Sequence, residues 1–253
     1  MCHHRLIAWA CWFSVILFAW SVQEVRAERE WEFSIAGYGG KAFHSNEDMK
    51  INSGDNGDPF HGTIHRVNLN DSGAWGAKIS AWHLPKKYDW QPQVGFELDY
   101  SRFTADLHPQ RAPASGTVSQ PGFELAGVIF TSGRDVSIQN LTVNMLFRYA
   151  LAATPQLPQG RLSPYIGGGV GVQRAHLTDP SSGGFQETDY APALQGIAGV
   201  KFFLTRNLAL FTEYKRIWSR HTFDYSPTIT PPGYSERWTV STNLISAGAA
   251  LHF

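Results

Sequence analysis

Cysteine is almost absent from this sequence: its 253 residues include two, Cys2 and Cys11, both near the start. The rest of the chain therefore has no thiol for a disulfide, a nucleophile or a metal ligand. Long apolar runs are also missing beyond residue 20, and the mean hydropathy is -0.24. Because a membrane helix needs roughly 20 consecutive apolar residues, the sequence argues against a helical membrane protein.

The first 27 residues have the layout of a secretory signal peptide. Arg5 and two histidines precede an uncharged run over 6–20, and Ala27 closes a small-residue cleavage site. This run is 15 residues long, which is short for a membrane-spanning anchor. We therefore predict a signal peptide at residues 1–27 and a single mature domain at residues 28–253.

Excess charge of either sign is absent as well. The predicted mature chain has 19 basic and 20 acidic residues. A nucleic-acid-binding domain normally carries a clustered basic surface, so we expect no nucleic-acid partner.

Short segments rich in Gly, Thr, Val and aromatic residues recur along the mature chain and predict β-strands. We predict eight, at 31–43, 74–84, 93–105, 136–151, 163–176, 191–205, 207–221 and 238–253. Short connections alternate with four longer ones, at 44–73, 106–135, 177–190 and 222–237. Even strand number and this alternation predict an all-β fold, an eight-stranded antiparallel up-and-down transmembrane β-barrel with long extracellular loops and both termini in the periplasm.

Alternation within the strands supports a membrane barrel. In the last segment Ile245, Ala247, Ala249, Leu251 and Phe253 share one face and small or polar residues share the other. A soluble β-sandwich or a lipocalin-like barrel also alternates, but its outward face would be the charged one. Aromatic residues near the segment ends predict interfacial girdles; they are Trp31, Trp75, Tyr149, Phe202, Tyr214, Trp218 and Trp238.

If the apolar faces point outward, eight charged residues point into the lumen. Four are acidic and four basic: Glu32, Lys78, Glu97, Asp99, Arg148, Lys201, Glu213 and Lys215. An eight-stranded barrel has just enough room for its own side chains, and buried charges must be paired or hydrogen-bonded. We interpret the set as an ion-pair plug; a proton relay, a substrate site and an ion gate are the functional alternatives.

Three stretches resemble the small OmpA-like outer-membrane β-barrel family. They are the glycine-rich segment Pro164 to Gly171, the segment Leu210 to Lys215, and the terminal Leu251-His252-Phe253. The resemblance implies a monomeric eight-stranded barrel in the cell outer membrane of a Gram-negative envelope, with Phe253 and Leu251 read as a signal by the outer-membrane assembly machinery. It also implies roles from envelope integrity and adhesion to immune evasion and passage of small hydrophobic solutes. Classical OmpA proteins continue into a peptidoglycan-binding domain, which this sequence does not show, so we do not expect tethering to the cell wall.

Catalytic and metal motifs are weak. Lipid A deacylases place a His and a Ser two residues apart, whereas His44 and Ser45 are adjacent and would point to opposite faces. His221 near Glu236 is a second candidate, and further histidines near the rim are His61, His65 and His83. The sequence Asp55-Asn56-Gly57-Asp58 lacks the alternation and closing Glu of an EF-hand and fits a turn. We therefore expect no catalytic residue, no cofactor and no metal site.

Loops on a rigid scaffold are where binding usually occurs. Our first functional hypothesis is a structural or surface-interaction protein, in contact with outer-membrane lipids and lipopolysaccharide, that presents an extracellular ligand site on loops 44–73 and 106–135. The alternatives are a narrow porin or hydrophobic-solute channel and, third, a lipid A-modifying hydrolase. The apolar segment from Phe123 to Phe130 would form an extra hairpin that extends the barrel, raises the strand number to ten, or folds inward and seals the mouth.

Overall fold

The computed structural model describes residues 30–53, 60–84, 91–118, 123–154, 157, 159–224 and 234–253. The proposed signal peptide and the Asp55 to Asp58 turn lie outside these residues. No helix among them is long and apolar enough to cross a membrane. The described elements are the strands β1 (Trp31–His44), β2 (Glu47–Ser53), β3 (Phe60–Val67), β4 (Ser72–His83), β5 (Gln93–Thr104), β6 (Gln110–Val118), β7 (Phe123–Thr131), β8 (Asp135–Arg148), β9 (Leu162–Asp179), β10 (Phe185–Phe203), β11 (Leu208–Asp224) and β12 (Ser235–His252), and one 3-10 turn, Pro180–Ser182.

Eight of the strands form a closed barrel. Their order is β1-β4-β5-β8-β9-β10-β11-β12, and β12 pairs with β1 from Ser34↔His252 to His44↔Thr242. All these pairings are antiparallel, and the connections from β4 to β5, from β8 to β9 and from β10 to β11 lie at the end of the barrel that carries Trp31 and Phe253. The predicted eight-stranded up-and-down barrel is confirmed.

The outer surface of the barrel is covered by apolar side chains. Phe33 is 57 % exposed, Ile166 62 % and Val170 61 %, although each lies on a fully paired strand. Outward basic residues such as Lys41 and Arg102 mark where this apolar band stops toward the outer end. A wall that is apolar outside and polar inside suits lipid and excludes the soluble sandwich and lipocalin alternatives.

One predicted girdle residue was assigned to the wrong side. Trp238 is 4 % exposed and points inward, whereas Trp31, Trp75 and Trp218 are 40–54 % exposed on the outer surface. The alternation of β12 explains the difference, because even-numbered positions of this strand face the lumen throughout.

Four additional strands form an outer sheet on top of the barrel. β2 pairs with the outer end of β12, from Ser235↔Asn52 to Trp238↔Met49, and β3, β6 and β7 follow in that order. The two longest predicted loops, 44–73 and 106–135, therefore contain a hairpin each and are joined by the β3–β6 pairing. The Phe123 to Phe130 segment extends the wall as β7; it neither adds strands to the membrane barrel nor seals its mouth.

The predicted third long loop, 177–190, is mostly strand. β9 and β10 stay paired out to Phe185↔Asp179, which leaves only residues 180–184 between them. Polar residues such as Glu187 and Asp189 made this segment look like a loop. Beyond the apolar band, however, a strand meets water and needs no apolar outward face.

Candidate functional site: a lumen filled in two layers

All eight predicted lumen charges lie inside the barrel and are nearly inaccessible to solvent. The most exposed, Glu32, is 6 % accessible, and Asp99, Arg148 and Lys215 are 0 % accessible. Side chains alternate between the two faces of a strand, and this alternation points all eight charges toward the barrel axis. They lie on six strands: β1, β4, β5, β8, β10 and β11. They form the polar layer of the lumen, which lies within the apolar band.

An arginine cluster fills the lumen near the terminal end. Arg148 donates from its two terminal nitrogens to Glu32 at 2.7 and 3.1 Å and from Nε to Gln93 Oε1 at 2.7 Å. Glu32 also contacts His252 Nδ1 at 2.8 Å, and the guanidinium lies 4.4 Å from the centre of the Trp82 ring. The two bonds to Glu32 form a bidentate pair, the strong geometry for a guanidinium and a carboxylate.

A lysine cluster fills the middle of the lumen. Lys78 Nζ donates to Glu213 at 2.6 Å and lies 3.5 Å from Glu97, while Lys215 donates to Asp99 and lies 3.2 Å from Glu213. Two tyrosines complete the shell: Tyr38 donates to Asp99 at 2.8 Å and Tyr165 donates to Glu213 at 2.6 Å. Charge pairing plus hydroxyl donors gives the buried carboxylates the compensation that desolvation demands.

Lys201 departs from the expected pairing. Within the described chain it has no carboxylate within salt-bridge distance; its Nζ lies 5.1 Å from the centre of the Trp82 ring and 5.7 Å from that of Tyr165. Aromatic faces attract a cation through their quadrupole. The sequence predicted an acidic partner for Lys201, but the structure places aromatic rings beside it.

Glycines on neighbouring strands make room for the lumen aromatics. A Cβ on Gly95 would lie 2.5 Å from the Trp82 ring, and one on Gly199 would lie 2.5 Å from Tyr165. Tyr38 is seated in the same way against Gly76. The rings thus lie close to the inner wall at positions without a side chain. No motif in the sequence indicated this use of inward glycines.

Above the polar layer, the outer section of the lumen holds an apolar core. Its members include Trp238, Phe223, Phe103, Ile138 and Leu177, all at most 4 % exposed. β2, β3 and β6 contribute Met49, Ile64 and Ala112 to the same core. Glu236 anchors its rim by accepting hydrogen bonds from Arg134, Trp238 Nε1 and Tyr234.

Both layers of the lumen are filled with side chains. The polar layer contains ion pairs and hydrogen bonds, and the outer layer contains packed rings and aliphatic side chains. The ion pairs favour one arrangement of these side chains, which suits a structural role for the charges.

The candidate catalytic histidines do not converge. His44 contacts the Thr104 carbonyl at 2.9 Å and Thr242 Oγ1 at 3.1 Å, and burial lowers the pKa of its imidazole. His221 pairs with Asp189 at 2.9 Å and not with Glu236; burial lowers its pKa too, against the raising effect of Asp189. His83 lies at the opposite end of the barrel, beside Trp31.

The arrangement around His221 includes a serine that sequence inspection missed. Ser219 lies two residues before His221 on β11, and both contact Gln173 Oε1, at 2.5 and 3.0 Å. Ser219 is 6 % exposed and His221 is 0 % exposed. A nucleophile must reach its substrate and its base, and this hydroxyl contacts the amide of Gln173 where a base would be needed.

The outer rim carries one described groove. An open groove of about 550 Å³ lies where β7 ends and β8 begins, lined in part by Asp106, His108, Arg134 and Asp135. Groups of three or more metal-ligating side chains are absent from the described residues.

A closed antiparallel barrel with an apolar exterior, an interior filled with paired charges and apolar side chains, and a sheet beyond the apolar band defines a small outer-membrane β-barrel protein. Residues 26–253 match the model of the outer membrane protein beta-barrel domain family. The chain belongs to this family and is located in the cell outer membrane.

Solved structures with a similar course of the chain have low sequence identity. The Neisserial surface protein A is 15 % identical, with a TM-score of 0.42, over 89 % of this chain and 98 % of that one. Ail, the attachment invasion locus protein of Yersinia pestis, is 13 % identical, with a TM-score of 0.39, over 89 % and 100 %. The outer membrane protease OmpT of Escherichia coli is 9 % identical, with a TM-score of 0.44, over 92 % and 100 %. Curated protein sequences gave no match.

Phe253 lies at the seam where the barrel closes. Its N–H donates to the Phe33 carbonyl at 2.9 Å, and Leu251 is 50 % exposed on the lipid-facing side. If the terminal residues are the assembly signal, deletion of Phe253 should strongly reduce the amount of barrel inserted in the outer membrane of producing cells. The amount of folded barrel is measured in the membrane fraction by gel electrophoresis, from the change in mobility of the barrel on heating. The control is Phe202→Ala, an outward aromatic of β10; equal insertion of the deleted and intact chains would contradict the prediction.

Proposed function

We propose that this protein is a surface-interaction barrel, in which the membrane part is a closed scaffold and the outer sheet is the binding element. The single observation that carries the proposal is the fate of its two longest connections. They fold into four paired strands that continue the wall beyond the apolar band. Such a sheet gives the outer rim the large exposed surface that a binding role needs.

Filling of the lumen supports the same role. Seven of the eight charged side chains that were candidates for a gate are paired with one another, Lys201 lies against aromatic rings, and the apolar core lies between them and the outer medium. Conduction of ions would need a continuous hydrated path, so the channel hypothesis ranks second.

Single-channel recording separates these two functions. The refolded 28–253 chain in a planar bilayer should give no stable conductance steps, and Arg148→Ala should not add them, because the outer core stays in place. Stable, salt-dependent steps in the unmodified protein that change in Arg148→Ala would instead establish a pore gated by the lumen charges.

The binding role has its own test. Replacing residues 110–131 by a short turn removes the β6–β7 hairpin and leaves the eight barrel strands intact. Cells that display this shortened chain should be retained less on protein-coated and cell-coated surfaces than cells that display the full chain at equal surface abundance. Equal retention on every surface would contradict a role for the outer sheet.

A further inference from the structure

β7 is the outermost strand of the outer sheet. It pairs with β6 on one edge, and no described backbone group pairs with its other edge. A free edge of this kind presents a row of N–H and C=O groups to any strand that reaches it.

The β7 edge carries little of the usual protection. Natural proteins block free edges with lysine, proline, bulges or a covering loop, whereas β7 reads Phe-Glu-Leu-Ala-Gly-Val-Ile-Phe-Thr, with Glu124 near its start as the one charge and no proline. Residues 126–130 are all exposed, with Val128 at 68 %, Ile129 at 37 % and Phe130 at 69 %. Consecutive strand residues point to opposite faces, so both faces of β7 stand clear of the core.

The sequence of β7 is self-complementary about Gly127. An antiparallel pair of two β7 strands centred on this residue places position 126 opposite 128 and position 125 opposite 129. Ala then faces Val, and no like charges meet along the strand, because position 124 lies opposite position 130. Gly127 itself has open space where a Cβ would project.

The geometry of such a pair fixes where the second copy lies. Two strands paired antiparallel are related by a two-fold axis perpendicular to their sheet. Because Met49, Ile64 and Ala112 turn β2, β3 and β6 toward the outer core, the outer sheet stands upright as a continuation of the wall. The axis perpendicular to this sheet therefore lies parallel to the membrane plane. A rotation of 180° about that axis turns the second barrel upside down relative to the first.

We propose that β7 is a self-docking edge, which pairs antiparallel with β7 of a second copy of this chain in a facing outer membrane and so joins two cells. This inference rests on the proposed surface-interaction role and names the partner. It agrees with a monomeric barrel within each membrane, because the two copies belong to different bilayers.

Charge exchange at the edge tests the pairing. One variant carries Ala126→Lys with Val128→Lys, and the other carries Ala126→Glu with Val128→Glu. In the proposed register each variant places like charges opposite each other when it meets itself, and opposite charges when it meets the other variant. Vesicles that contain the full barrel, labelled with two colours, report pairing as two-colour clusters.

Unmodified vesicles should cluster, each variant alone should lose clustering, and a mixture of the two should regain it. The matched control is Gln186→Lys with Tyr190→Lys, which places the same charges on exposed outward positions of β10, outside the outer sheet; it should cluster like the unmodified protein. Dispersed unmodified vesicles, failure of the mixture to cluster, or loss of clustering in the control would each overturn the self-docking edge.

A dye sealed inside the same vesicles separates the two levels of the argument. Vesicles that retain the dye and stay dispersed contradict self-docking alone. Vesicles that lose the dye through the barrel contradict the closed scaffold on which the proposed function depends.

Discussion

Arg148→Met is expected to destabilise the folded barrel by about 3–5 kcal/mol, the usual cost of removing one partner of a buried ion pair. The change leaves Glu32 inside the lumen with His252 as its remaining described partner, and it removes the hydrogen bond to Gln93. Urea-induced unfolding in detergent micelles, followed by tryptophan fluorescence, measures the loss.

Two further variants identify the cause. The double variant Glu32→Gln, Arg148→Met removes the orphaned charge and should recover a large part of the stability. Arg102→Met changes an outward, exposed arginine of β5 in the same way and should have little effect. Equal losses for the single and double variants would show that packing, and not the charge, governs the result.

Trp82→Ala is expected to cost about 3–5 kcal/mol as well, because it leaves a cavity in a packed interior. Trp82 is 0 % exposed, lies under both Arg148 and Lys201, and donates from Nε1 to Ser80 Oγ at 3.2 Å. Despite the cavity, we expect no conductance in planar bilayers, because the outer core around Trp238 still closes the lumen. Unfolding in urea and single-channel recording on the same preparation check both parts.

Trp75→Ala is the matched control for Trp82→Ala. This tryptophan is 54 % exposed on the lipid side, so the same chemical change should cost much less stability. The double variant Trp82→Ala, Trp238→Ala removes a large ring from each layer of the lumen. Conductance in the Trp82→Ala variant would contradict the expectation that the outer apolar core closes the lumen by itself.

Much of the membrane part was predictable because the pattern has only one consistent solution. The outward positions from Ile245 to Leu251 could not face water, so their strand had to have lipid on one side. The same parity placed Glu213 and Lys215 inside, and the structure shows them 3.2 Å apart. Strand number and the short turns followed from the spacing of such segments.

Contacts between distant segments were not predictable in the same way. The β3–β6 pairing joins two connections that are far apart in the sequence, and no local pattern indicates which strand edge will accept another. Lys201 shows the same limit in the lumen: parity places it inside, but only the three-dimensional arrangement assigns it rings in place of an acid. Trp238 was misassigned because an aromatic near a strand end was weighted above the parity of its own strand.

The height of the outward apolar band indicates the thickness of the membrane that the barrel fits. Outward apolar positions on β9 run from Leu162 to Val172, about 33 Å along the strand at 3.3 Å per residue. A tilt near 40° reduces this to roughly 25 Å of height, the apolar band of bacterial outer membranes. Above that height the apolar side chains move to the interior. Two more outward apolar residues on each strand would therefore make the apolar band taller than the bilayer and create hydrophobic mismatch. The wall is thus matched to a bilayer of one thickness and would be tilted or strained in a thicker one.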